Sequence, residues 1–134
     1  WGAKFTYEVG YNGDSEVGAI IRIYFDKEPL MDTITIHDIS HYKKLTLNLA
    51  SIQSKTGISM QQYGSLVFSS VRGSKDIYYE YFTQQKSIIG AFDIMDFPWM
   101  YLTPGNNVFA IEMDENYYDD VTISIEHSGA YGGV

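Results

Sequence analysis

Cysteine is absent from this 134-residue chain, so neither a disulfide framework nor a thiolate metal site can form. Cationic residues are scarce: nine Lys and Arg stand against seventeen Asp and Glu, giving a formal net charge of −8. Because an acidic surface repels phosphate backbones and anionic lipids, nucleic acid and membrane surfaces are disfavoured as partners. Long apolar runs are also missing, and none approaches the ~20 residues of a membrane span. We therefore expect no membrane insertion.

Aromatic residues, in contrast, are abundant: they make up 16% of the chain, with twelve Tyr and seven Phe. This composition excludes a disordered chain and favours strands. The length suits one domain with a substantial core. We expect a single domain over residues 1–134, with the glycine-rich residues 128–134 as a flexible tail. The chain begins with Trp1 rather than Met, and we expect it to be a piece of a longer polypeptide.

Alternation of apolar and polar side chains with a period of two runs through most of the sequence and predicts strands with one buried face. The predicted strands are 4–9, 21–25, 33–37, 44–49, 66–70, 76–83, 109–113 and 120–126. Residues 51–65 are mainly polar and fit either a short helix or a long loop. Because strands recur about every ten residues with turns between them, we expect an antiparallel sandwich or barrel.

Two turns punctuate this pattern. Asn12-Gly13-Asp14 predicts a turn in which Gly13 takes positive φ. Pro104-Gly105 predicts a second tight turn, because Pro presets φ and Gly105 supplies the positive φ that follows.

The ordered motifs resemble a known family. Residues 11–23 (YNGDSEVGAIIRI), 69–73 (SSVRG) and 97–111 (FPWMYLTPGNNVFAI) occur in the order seen in the C-terminal domain of siphovirus distal tail proteins. The resemblance covers residues 5–127. It implies an all-β, antiparallel β-sandwich of galectin-like or jelly-roll-like topology, with at most one short helix.

The resemblance also implies a role and a location. Such proteins form a hexameric ring at the phage tail tip through an N-terminal domain, and their C-terminal domain projects outward and helps to hold receptor-binding proteins in some baseplates. We therefore expect a structural, non-enzymatic virion protein without a cofactor, made in the host bacterial cytoplasm. Its expected partners are other tail and baseplate proteins. The isolated domain should be a monomer, since the ring-forming part belongs to the N-terminal domain.

A carbohydrate-binding module that recognises host surface glycans is the alternative. Its candidate ligand-binding residues are Trp99, Tyr101 and Tyr63, with Tyr78 and Tyr79 as further rings that stack on sugars. The competing interpretation places these rings in the core or at sandwich edges, which is common for aromatic residues in strands. Exposure of the rings in a groove would favour sugar binding, whereas buried rings would favour a scaffold.

The charged residues do not match the patterns of known metal sites or of catalytic acid pairs. Asp114, Asp119 and Asp120, with Glu112 and Glu115 nearby, supply the oxygen ligands that calcium prefers, but their spacing does not match a twelve-residue calcium loop and favours a solvated turn. His37 and His41 lie four residues apart without a metal-binding context, so we interpret them as surface histidines. A glycoside hydrolase would need an acid pair across a groove, and nothing marks Asp93 and Asp96 as such a pair.

Overall fold

The computed structural model describes residues 2–127, and the predicted tail at 128–134 lies outside these described residues. Within them, the regular elements are β1 (Gly2–Tyr11), β2 (Val17–Phe25), β3 (Thr33–Asp38), β4 (Lys43–Asn48), α1 (Leu49–Thr56), β5 (Gly64–Ser69), β6 (Asp76–Tyr81), β7 (Gln84–Ser87), β8 (Tyr101–Leu102), β9 (Gly105–Asp114) and β10 (Val121–His127), with 3₁₀ helices at Ile89–Ala91 and Glu115–Asp120. No helix in this part of the chain has the length and apolar character needed to cross a bilayer.

The strands form two antiparallel sheets. The first has the order β1-β9-β3-β4, and the second has the order β10-β2-β5-β6-β7. The short β8 pairs with the start of β2, just beyond the point where β5 ends its own pairing with β2. The predicted all-β antiparallel sandwich is therefore confirmed, and α1 is the single α-helix of the described residues.

The core lies between the sheets and follows the period-two pattern. Alternate residues of β2, β3, β4 and β9 are almost completely buried and meet in one cluster; they are Ile21, Ile23, Phe25, Ile34, Ile36, Leu45, Leu47, Phe109, Ile111 and Met113. Each such side chain contributes about 1.5–3 kcal/mol through removal of apolar surface from water. The alternation that predicted the strands thus also specifies which face of each strand is buried.

Because the strands are antiparallel, the segments that connect them lie at two opposite ends of the sandwich. At one end lie the β1–β2 loop, the β3–β4 turn, the β5–β6 loop and the segment before β8, because Tyr11 pairs with Gly105 and Val17 with Leu102. At the other end lie the β2–β3 loop, the β6–β7 turn and the Glu115–Asp120 helix, since Val121 pairs with Phe25.

Several predicted details were wrong. Leu49 does not end a strand but begins α1, because the Asn48 side chain caps that helix by accepting from the amide of Ser51. The helix ends at Gly57 in the left-handed conformation. Gly13 does not have positive φ, whereas Gly105 does, at 105°. The strands β7 and β8 were missed, because Gln84–Ser87 is exposed throughout and β8 has only two residues.

Candidate functional site

Residues 97–103 present two of the predicted aromatic residues at the surface. Met100 and Leu102 are fully buried. Because successive side chains of a strand point to opposite sides, Tyr101 in β8 points away from the buried Leu102. Backbone pairing of β8 with the start of β2 holds Tyr101 in place, whereas Trp99 precedes β8 and is partly buried against the core.

Trp99 is half-buried at the edge of the core. Its ring centroid lies 4.6 Å from that of Phe97 and 5.8 Å from that of Phe68. On the solvent side, the Lys75 ammonium lies 5.6 Å from the Trp99 ring centroid, within the range of a cation–π interaction. One part of the Trp99 ring therefore packs against the core, and another part contacts the Lys75 ammonium.

Tyr101 lies between two lysines. The ammonium nitrogens of Lys43 and Lys75 are 5.2 Å and 5.4 Å from its ring centroid, and Lys43 Nζ donates to the Trp99 carbonyl at 2.8 Å. Neither lysine, nor the exposed Arg72 nearby, forms a salt bridge with a carboxylate of residues 2–127. We call Lys43, Arg72, Lys75, Trp99 and Tyr101 the basic–aromatic cluster.

Two clefts open beside this cluster and meet at Lys75 and Val71, which line both. The first has a volume of about 510 Å³ and is bordered by Glu16, Arg72 and Tyr101.

The second cleft has a volume of about 600 Å³. Its polar lining comes from Ser74, Asp76, Gln85 and Ser87, and Tyr78 contributes an aromatic wall. The clefts combine cations, carboxylates, hydroxyls and rings, a mixture suited to a polyhydroxylated ligand.

The first cleft depends on a close approach of two backbones. A Cβ at Gly18 would overlap the carbonyl group of Ser70, so only glycine allows β2 to pass so near the β5–β6 loop. The buried Ser70 hydroxyl in turn accepts from the Met100 amide at 2.8 Å. These contacts link β2, the β5–β6 loop and the segment before β8 at the wall of the cleft.

A carboxylate, an imidazole and a hydroxyl lie in series at the same end. Asp38 is fully buried, and His41 Nδ1 lies 3.0 and 2.9 Å from its two carboxylate oxygens. His41 Nε2 is 3.2 Å from the Thr103 hydroxyl. Burial raises the pKa of Asp38, although the bonds and charge of His41 act in the opposite direction.

This series has the order of a nucleophilic triad, but its contacts indicate a structural role. The Thr103 amide donates to Asn107 Oδ1 at 2.9 Å, and the Thr103 hydroxyl lies 3.3 Å from the same oxygen. Neither His41 nor Thr103 lines either cleft. The series ties the β3–β4 turn to the turn before β9.

The structure separates the predicted sugar-binding rings. Trp99 and Tyr101 lie together, and Tyr78 lines the second cleft. Tyr63, which is 52% exposed, precedes β5 and therefore lies at the opposite end of the sandwich from Trp99. Tyr79 is buried, and its hydroxyl accepts from the Gln61 amide at 2.8 Å. The predicted set of Trp99, Tyr101 and Tyr63 is thus not one site.

The end that carries Tyr63 is acidic. Seven carboxylates cluster there and define what we call the acidic end: Asp26, Glu28, Asp32, Asp114, Glu115, Asp119 and Asp120. Among the calcium candidates, Asp114 accepts from the Asn116 amide at 2.9 Å, and Asp120 lies 3.8 Å from Lys27. Asp119 is exposed. In residues 2–127, no three His, Asp or Glu side chains form a group that could hold a metal ion.

Both histidines are partly exposed, and each contacts a carboxylate. The His37 side chain is 16% exposed and the His41 side chain 27%. His37 Nε2 lies 2.8 Å from a Glu112 oxygen, which lowers the pKa of Glu112. Elsewhere, Asp93 accepts from the Met95 amide at 3.0 Å, as in a local turn.

Sequence reasoning missed the three cations of the basic–aromatic cluster. Arg72 and Lys75 lie in the predicted turn between β5 and β6, and Lys43 opens β4. The available signal was the scarcity of cations: two of nine, Arg72 and Lys75, occur in one predicted turn of a chain in which acidic residues dominate. Their meeting with Trp99 depends on strand register, which the sequence pattern does not reveal.

Comparison with known proteins adds no relative: no family model, no curated protein and no solved structure matches this chain. Function must therefore be argued from the two ends of the sandwich.

Proposed function

We propose that this chain is an outward-facing structural module of a phage tail tip, of the distal tail protein kind. The ordered motifs that resemble that family support this proposal, and the antiparallel sandwich has the architecture that the resemblance implies. In this role the chain works without catalysis and docks other tail or baseplate proteins. A ring-forming domain of the full-length protein would provide the hexamer, and the sandwich alone would be a monomer.

One observation carries the docking role. Tyr63 and Phe82 are 52% and 70% exposed, and both have positive φ, at 72° and 53°. Tyr63 precedes Gly64 and Phe82 follows Tyr81, so the two residues flank the last pair of the β5–β6 ladder at the same end of the sandwich. A bulky residue in this conformation is strained, and Tyr42 shares it, so the feature that distinguishes this end is the presence of two such exposed aromatic residues at one end of a strand pair. The aromatic pair at the acidic end is the proposed contact with a partner protein.

The test uses the phage that encodes the chain. Electron microscopy of the full gene product should show a six-fold ring with this sandwich on its outside. Replacing Tyr63 and Phe82 together by Asn, which tolerates positive φ, should reduce incorporation of the docked tail proteins. The matched control is Tyr42→Asn, because Tyr42 also has positive φ and is 96% exposed but lies at the other end. An unaltered particle composition in the double variant would contradict the docking role.

Glycan binding is the second candidate, and a different observation supports it. Tyr101 lines one of two clefts that carry hydroxyl, amide and charged groups, and Lys75, which lines both clefts, lies over the rings of Tyr101 and the partly buried Trp99. This arrangement suits a sugar chain, whose hydroxyls need donors and acceptors and whose apolar ring faces pack on aromatic edges. A glycan array with Trp fluorescence titration tests it. Saturable binding that is lost in Trp99→Ala without unfolding would support the candidate.

A further inference from the structure

We propose that the two clefts meeting at Lys75 bind a carboxylate-bearing carbohydrate chain, such as one containing uronic acids. This inference rests on the second function proposed above and names its ligand class and its central residue. It moves the site from the predicted ring set to Lys75, which contacts both rings and both clefts.

The charge distribution argues for an anionic ligand. The chain has a net charge of −8, yet the cations of the basic–aromatic cluster converge without forming salt bridges to carboxylates of residues 2–127. Lys43 is fixed by the Trp99 carbonyl, whereas the contacts of the Lys75 ammonium within residues 2–127 are the faces of two rings. A carboxylate would offer Lys75 a stronger, charge-assisted partner without moving it far.

The remaining groups argue for a sugar rather than a dense polyanion. Glu16 borders the first cleft and Asp76 the second, so a phosphate on every unit would meet like charge at both. These carboxylates are instead suitable acceptors for sugar hydroxyls. Asp76 already accepts from the Ser87 hydroxyl at 2.7 Å, so its position is fixed. A carboxylate on the ring at Lys75, with neutral rings on either side, therefore fits the charges of the site better than an anion on every unit.

The shape of the site is compatible with more than one sugar ring. The clefts, about 510 and 600 Å³, are open on both sides of Lys75 and share Val71 as a common wall. A chain lying across them would place its central ring over Lys75 and Tyr101, one neighbour towards Arg72 and the other towards Tyr78. The rigid backbone contact at Gly18 keeps the first cleft in place before binding, which reduces the entropy lost on binding.

Calorimetric titration of the chain with a trisaccharide that has one uronic acid between two neutral hexoses tests the proposal, with its methyl ester as a neutral ligand of the same sugar. We expect the acidic form to bind with a dissociation constant of about 1 mM or tighter, and the ester at least tenfold more weakly. Lys75→Met should lower the affinity at least tenfold. The matched control is Lys27→Met, which removes an exposed lysine at the acidic end and should leave binding unchanged.

Three further outcomes of these titrations would contradict the proposed ligand class. Equal binding of ester and acid would overturn the ligand class while leaving glycan binding intact. No binding of either sugar would overturn both this inference and the glycan-binding candidate. Equal binding of a poly-glutamate peptide would show that any acidic chain suffices and would overturn the carbohydrate assignment. The docking role at the acidic end is untouched by all three.

Discussion

The two ends of the sandwich carry charge in different ways. At the end with the basic–aromatic cluster, charged groups are fixed by short contacts inside the protein: Asp38 is buried against His41, and Lys43 is bonded to the Trp99 carbonyl. At the acidic end, Asp120 is the one of the seven carboxylates that forms a salt bridge within residues 2–127, with Lys27 at 3.8 Å. Loss of a charge should therefore be costly at the first end and nearly neutral or favourable at the second.

This difference follows from burial more than from the residue types. A buried carboxylate needs its partner, because ionised groups lose their hydration inside the protein. Exposed carboxylates keep their water, so their mutual repulsion is weak and screened by salt. The predictions below test this contrast, from the largest expected effect to the smallest.

His41→Ala should lower the free energy of unfolding by about 3 kcal/mol, because it leaves the buried Asp38 carboxylate without its imidazole partner. His37→Ala is the matched control, since the partner of His37 is the 40% exposed Glu112, and its cost should stay below about 1 kcal/mol. Chemical denaturation measures both. Equal losses in the two variants would mean that burial does not separate the pairs.

Gly105→Val should lower the free energy of unfolding by about 1–3 kcal/mol, because a β-branched residue would be forced into the left-handed region. A Cβ at Gly105 meets no atom within 4 Å, so the cost comes from the backbone alone, at φ +105°. Gly10→Val is the control: Gly10 lies in β1 with the same free space and without positive φ. A denaturation midpoint unchanged in Gly105→Val would refute the turn.

The strands, the core and the Pro104-Gly105 turn were predictable because each rests on a local pattern. The sugar-binding role given to Trp99 and Tyr101 stays a prediction; the structure shows both residues partly buried, with Trp99 packed against the core. Their cationic neighbours were not predictable, because Lys75 reaches Trp99 only through the packing of the β5–β6 loop on the segment before β8. Tyr63 was assigned to the same site for lack of any sequence signal that distinguishes the two ends.

The pH dependence of stability should differ between Asp38 and Glu112. Burial raises the pKa of Asp38, so its contribution is fully present below the unfolded-state pKa and is lost as the pH rises through the folded-state value. The bond from His37 lowers the pKa of Glu112, so its contribution is present above the unfolded-state pKa and is lost as the pH falls.

Denaturation of Asp38→Asn and Glu112→Gln between about pH 3 and pH 7 checks these signs. Relative to the wild type, Asp38→Asn should remove a decline of stability with rising pH, and Glu112→Gln should remove an increase. The comparison concerns the slope with pH, because each substitution also alters hydrogen bonds at every pH. Slopes of the same sign in both variants would contradict the assignment.

The smallest effect is expected at the acidic end. Asp119 is exposed and lies among six other carboxylates, so Asp119→Asn removes repulsion without removing a buried contact. We expect the free energy of unfolding to rise by no more than about 0.5 kcal/mol, and this gain should shrink as salt screens the remaining charges. Thermal denaturation at low and high ionic strength measures it. A clear loss of stability that persists in high salt would show that Asp119 makes a specific contact, and the contrast between the two ends would then fail on its acidic side.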